Sequence, residues 1–110
     1  MSQLSRIGRT LVVDLPGDLT DQDGQALIAE VSRVLSAGEI GCLLLDARGL
    51  LCADSFLAQT LRELGLLAEL LGAKPVLVGL PAGAAMVLSL LDVDLGHLHS
   101  ARTMHEAMLE

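Results

Sequence analysis

Apolar and polar positions along the chain alternate between short buried runs and longer segments of helical period. Leu4 to Ile7 reads as a first strand, Gly8-Arg9 as a turn, and Thr10-Leu11-Val12-Val13-Asp14-Leu15 as a second strand closed by Pro16-Gly17. The two strands suit a hairpin. Thr20 with Asp23 fits a capping box, and Leu27, Val31 and Val34 repeat at helical spacing beside Ile28 and Leu35, so a helix is predicted from Asp21 to Ala37, stopped by Gly38. Cys42 to Leu45 is a continuous apolar run of the length of a central strand, ended by Asp46. Arg48-Gly49 is turn chemistry, and Asp54-Ser55 stands where the next amphipathic helix, Ser55 to Leu71, begins.

On that helix Leu57, Leu61, Leu64, Ala68 and Leu71 fall on one side, the predicted core stripe. Ser55, Gln59, Arg62 and Glu63 fall opposite, together with Leu66 and Leu70. The two leucines are read either as scattered surface residues, which are common, or as a docking ridge continuous with Ser55. Lys74 to Gly79 gives a further strand, Pro81 opens a helix from Ala82 to about Leu91, and Leu95 to Leu98 reads as a short last strand. Thr103 with Glu106 is a second capping box, starting a C-terminal helix. Strands alternating with helices in this order predict an α/β layer fold with a mixed, mostly parallel sheet of four to five strands and about four helices.

Composition narrows the picture. The 110 residues are the size of one domain, and the expectation is a single domain over residues 1–110. At 52% hydrophobic and mean hydropathy +0.58 a core is available, and it is aliphatic, with one Phe and no Tyr or Trp. Apolar runs are broken too early for a membrane span, the N-terminal residues lack a signal-peptide pattern, and a net charge of -7 argues against nucleic acid and anionic membrane as partners. Cys42 and Cys52 form no CxxC pair; Cys42 reads as a small core residue, and a cytoplasmic, reduced location is expected.

Candidate chemistry is sparse. Gly79-Leu80-Pro81-Ala82-Gly83 follows a strand but matches no nucleotide-binding glycine motif. His97-x-His99 offers two ligands from one side of a strand and no third, so no metal site is expected. Ser55 has no GxSxG elbow around it, Asp46 and Asp54 have no neighbour to complete an acid–base site, and no cofactor or enzymatic activity is expected. What Ser55 has is position: it lies at the mouth of a strand–loop–helix unit, at the carboxyl end of a parallel strand, where ligand and partner sites of open α/β sheets collect. An ordinary helix cap is the other reading of the same residue.

Leu43-Leu44-Leu45-Asp46, Asp54-Ser55-Phe56, Leu70-Leu71-Gly72-Ala73-Lys74, Val76-Leu77-Val78-Gly79 and the closing Ser100-Ala101 together resemble a STAS domain, the fold of bacterial anti-sigma factor antagonists and stressosome proteins. The resemblance covers nearly the whole chain. Asp54-Ser55-Phe56 looks like the stressosome scaffold type (RsbS-like), because simple antagonists usually carry Asp-Ser-Ser-Gly there. Leu80-Pro81 departs from the Gln-Pro that relatives usually carry after the strand glycine. The resemblance implies a non-enzymatic regulator phosphorylated on Ser55 by a serine/threonine switch kinase of the RsbT kind. It implies homo- or hetero-oligomers with a larger STAS paralogue of the RsbR kind, and a partner surface formed by Asp54, Phe56, Gln59, Arg62, Leu66 and Leu70. A free-standing anti-anti-sigma factor that binds an anti-sigma kinase is the alternative, and a transport-associated STAS subunit a third.

Overall fold

The computed structural model describes residues 3–51, 53–91 and 99–101. The chain runs β1 (Gln3–Ile7), β2 (Thr10–Asp14), α1 (Asp21–Ser36), β3 (Cys42–Asp46), α2 (Ser55–Leu70), β4 (Lys74–Val78), α3 (Ala82–Leu90) and β5 (His99–Ala101). The strands form one sheet in the order β1-β2-β3-β4-β5. β1 and β2 are the expected antiparallel hairpin, Ile7 opposite Thr10, and every later pairing is parallel. Parallel neighbours need crossovers, and α1, α2 and α3 lie on the three of them.

Local chemistry accounts for these elements. At the start of α1 the Asp23 amide donates to Thr20 Oγ1 at 3.1 Å and the Thr20 amide to Asp23 Oδ2 at 3.4 Å, so the capping box is closed from both sides. Ala37 caps the other end, one residue inside the expected boundary. β3 and β4 are buried on both faces, as continuous apolar runs require. Leu11, Val13, Leu43, Leu45 and Leu77 point to one face and join Leu27, Val31 and Leu35 of α1, Leu57, Leu61 and Leu64 of α2 and Leu88 of α3 in the main core. Leu44, Val76 and Val78 form a second cluster on the opposite face, with Val12 and Cys42 packed against it. Cys42 is half-buried there, and burial pushes its thiol pKa up, against the lowering influence of Lys74.

One expectation is corrected. Leu71 is not part of the core stripe: α2 ends at Leu70, Leu71 is its C-cap, and its side chain is 39% exposed because the chain turns away through Gly72. The described final strand is His99–Ala101. The strand expected at Leu95 to Leu98, the capping box at Thr103 and Glu106, Cys52 and His97 lie outside the described residues. No group of three metal-ligating side chains and no helix long and apolar enough to cross a membrane occurs among the described residues.

Candidate functional site at the N-terminus of α2

The loop between β3 and α2 is tied to both neighbouring strands. The Ala47 amide donates to the Val78 carbonyl at 2.9 Å, and the Leu15 amide to the Asp46 carbonyl at 3.1 Å. The Leu51 amide donates to the Gly17 carbonyl at 2.9 Å, and Ala47 and Leu50 are buried beneath the loop. Asp46 accepts hydrogen bonds from the Arg48 amide at 3.1 Å, Nε at 2.9 Å and Nη2 at 2.8 Å. These bonds hold its carboxyl below the usual carboxylate range, the side-chain ones foremost, although burial pulls the other way. The Arg48 stem lies across Gly79, where a Cβ would collide with Arg48 Cγ; with φ at 66°, that position suits only glycine. A buried carboxylate, an exposed guanidinium and a bare backbone thus fix the turn that leads to Ser55.

Asp54, not Ser55, caps α2. Its backbone is extended, and its Oδ1 accepts the Leu57 amide at 2.8 Å. Ser55 is therefore the first helical residue, exposed, and the first turn holds no acidic residue. The ordinary-cap reading of Ser55 fails for this reason: the neighbouring aspartate already does that work. The free amides and the positive end of the helix dipole meet at this turn.

Along α2, Ser55, Gln59, Arg62, Leu66 and Leu70 fall within an arc of roughly 80°, at about 100° per residue. Ser55, Gln59, Arg62 and Leu70 are exposed, and Leu66 is half-buried. Gln59 Nε2 donates to Glu63 Oε1 at 3.3 Å along the same surface. At 82% exposure Leu70 lies at the far end of this stripe. Phe56 is off it. Its ring turns toward α1 at Gly24, and Thr60 Oγ1 donates back to its carbonyl at 3.0 Å. Its half-buried side chain is committed in large part to packing the two helices together.

Sequence reasoning passed over a second surface beside Ser55. Leu50, Leu51 and Ala53 of the loop and Pro81, Gly83, Ala84 and Val87 at the start of α3 line a shallow cavity of about 310 Å³. Leu51 is 86% exposed at its edge. The available signal was Leu50-Leu51, two leucines in a loop directly after a Gly turn, where polar residues are usual.

No family model matches the chain, and no curated protein matches it either. Solved structures do. A serine-to-glutamate variant of Moorella thermoacetica RsbS is 25% identical, with a TM-score of 0.85 over 97% of this chain and 91% of that one. A chain from the stressosome, described as a signal integration and transduction hub, is 26% identical, with a TM-score of 0.84 over 96% and 92%. The anti-sigma factor antagonist SpoIIAA, in its unphosphorylated form, shares the fold at 15% identity, with a TM-score of 0.76 over 99% and 94%; its phosphorylated form has also been solved. The chain has the STAS fold, the architecture of RsbS and SpoIIAA.

Proposed function

We propose that the chain is a non-enzymatic scaffold of a stressosome-type complex, which captures a serine/threonine switch kinase and releases it when Ser55 is phosphorylated. The observation that carries this reading is the division of labour at the start of α2. Asp54 satisfies the helix end, and the Ser55 hydroxyl stands exposed beside it. A hydroxyl that the fold does not use for capping is open to modification without cost to the fold. Phosphate would bring about -1.5 to -2 charges at pH 7 to a turn whose dipole and free amides favour an anion. The domain stays folded, and the partner feels the charge.

Similarity to RsbS, solved as a serine-to-glutamate variant, and to SpoIIAA, solved phosphorylated and unphosphorylated, supports a serine-centred switch. The scaffold reading stands ahead of the free-standing antagonist because the stressosome likenesses reach 25% and 26% identity and those to SpoIIAA 15% and 22%. The stripe of exposed Ser55, Gln59, Arg62 and Leu70 and half-buried Leu66, with Asp54 and the open edge of Phe56, forms the kinase-facing surface. A larger STAS paralogue completes the assembly, in the cytoplasm, with no cofactor.

The test is transfer of labelled phosphate from ATP by a switch kinase of the RsbT kind. One phosphate is expected on the wild type and none on Ser55→Ala. Equal labelling of the variant, with the phosphate mapped to Thr60 or Thr103, would overturn the assignment.

A further inference from the structure

The groove between the β3–α2 loop and α3 is apolar. Leu51, 86% exposed, stands on one side of it, and Pro81 and Val87 stand on the other. The apolar surface continues along α3 through Met86 and Leu90, and α3 holds no charged residue. The groove is shallow, whereas pockets for small ligands bury about 70–90% of the ligand surface. A long, open apolar strip of this kind suits an amphipathic helix laid along it.

Charge around the groove says which helix fits. Asp14 and Asp46 end β2 and β3, Asp18 lies between β2 and α1, Asp21 and Asp23 stand in the first turn of α1, and Asp54 caps α2. All are at the end of the sheet where the groove opens. The one base there among the described residues is Arg48, paired with Asp46 at 2.8 Å. Arg6, Arg9, Arg33 and Lys74 are at the opposite end. Two exposed acids adjoin the groove itself. Asp54 follows Ala53 of the lining, and Asp18 follows Gly17, whose carbonyl accepts the Leu51 amide at 2.9 Å. A Cβ on Gly17 would stand 3.0 Å from Leu51 Cδ1, so the two loops are in contact here. This rim attracts cations and repels nucleic acid, anionic lipid and a second copy of the same acidic chain. On the other side α3 starts with no acid in its first turn, and the positive end of its dipole directs cations to the loop side.

We propose that this groove docks a basic amphipathic helix of another protein. Apolar side chains of that helix lie against Leu51, Pro81 and Val87, and lysines or arginines on one flank face Asp18 and Asp54. The apolar groove carries the docking, and the acids select the occupant. This inference goes beyond the Ser55 reading and does not rest on it: neither a kinase nor a phosphate takes part in the binding.

Fluorescence anisotropy with the full, unphosphorylated chain tests it. The probe is a labelled peptide of about 14 residues, with leucines at i, i+3, i+4 and i+7 and lysines beside them. It is expected to bind, and a peptide of the same composition in scrambled order, or one with glutamate in place of lysine, binds at least about tenfold more weakly. Affinity falls at least about threefold as salt rises from about 50 mM to about 500 mM, because attraction between exposed charges is screened. Leu51→Arg, at a side chain already in water, lowers affinity at least about tenfold, and Val87→Arg serves as a second variant should the first fail to fold. Asp18→Asn lowers affinity at least about threefold, whereas Glu30→Gln, the same change of charge at an exposed position farther along α1, leaves it within about twofold. Absence of binding overturns the proposal. So does equal binding of the scrambled or glutamate peptide, binding that survives both arginine variants, or affinity that holds as salt rises. Equal losses in Asp18→Asn and Glu30→Gln overturn it too, because binding would then report overall charge. A groove that takes a neutral apolar dye or a second copy of this chain in the peptide's place overturns it as well.

Discussion

Gly24 of α1 faces Phe56 and Thr60 of α2 with no room for a methyl group. A Cβ on Gly24 would stand 3.0 Å from Phe56 Cζ and 2.9 Å from Thr60 Oγ1. The two helices that cross over the sheet approach each other through this glycine, and that approach sets the rotation of α2. With Phe56 held against α1, the stripe from Ser55 to Leu70 must face outward.

Gly24→Ala therefore sets two effects against each other. Helix propensity favours alanine by about 1 kcal/mol, and overpacking costs about 1–3 kcal/mol. The Thr60 hydroxyl is fixed by its bond to the Phe56 carbonyl, so the site yields little on that side. Net destabilisation of about 1 kcal/mol is expected. In a Phe56→Leu background the penalty should shrink, and chemical denaturation of the four proteins in that cycle measures the coupling. Equal penalties in both backgrounds would mean that the ring does not fill the site.

The cap assignment gives a sharper contrast. Asp54→Ala removes the acceptor for the Leu57 amide and should cost about 1 kcal/mol, whereas Ser55→Ala should stay within about 0.5 kcal/mol of wild type. Thermal unfolding of the two variants decides between the residues. A reversal would make Ser55 the structural cap and remove the support for its role as a switch.

Acid should reveal the Asp46–Arg48 pair. A carboxyl whose pKa is lowered on folding adds stability above its unfolded value, about 4, and loses that stability as pH falls through the folded value. Asp46→Asn should cost about 1–2 kcal/mol at pH 7. The gap between variant and wild type should narrow steadily below about pH 4. Urea unfolding at pH 7 and pH 3 measures it, and a gap that does not change with pH would remove the carboxylate from the account.

The ridge on α2 is not uniform. Leu70→Glu should be nearly neutral to the fold, because its side chain is already in water. Leu66→Glu should cost more, because that side chain is half-buried. If both leucines dock the kinase, each substitution lowers its capture, and only Leu66→Glu lowers the melting temperature. Normal capture by the folded Leu70→Glu protein would confine the docking surface to the upper half of the helix.

What was legible in the sequence was local. Thr20 and Asp23 announce their capping box within four residues, Gly8-Arg9 marks the hairpin, and Leu57, Leu61, Leu64 and Ala68 give the buried face of α2 by period alone. What was not legible depends on residues brought together by crossovers. The Arg48 stem meets Gly79 only because β3 and β4 pair in parallel register. The packing of the Phe56 ring toward Gly24 likewise depends on α1 lying beside α2. α3 was legible as a helix, but an apolar segment with no polar face carries no phase information, so nothing in its pattern told which residues the core would leave outside.

The last prediction separates what a charge at Ser55 does to the fold from what it does to binding. Ser55 is the first residue of a 16-residue helix, beside free amides and the positive end of the dipole. A negative charge there is typically worth 0.3–1 kcal/mol, and the first turn holds no acid to oppose it, although the capping Asp54 stands next in sequence. Ser55→Asp should thus melt close to wild type. Binding responds to a different environment. A charge enclosed in an interface without a partner costs several kcal/mol, and about 1.4 kcal/mol is a factor of ten in affinity. Kinase affinity should shift by at least about tenfold while the thermal midpoint barely moves. Calorimetric titration and thermal melting of wild type and Ser55→Asp give both quantities. If affinity and stability fell together, Ser55 would matter through the fold, and a phosphate there would act by damaging the domain rather than by switching its partner.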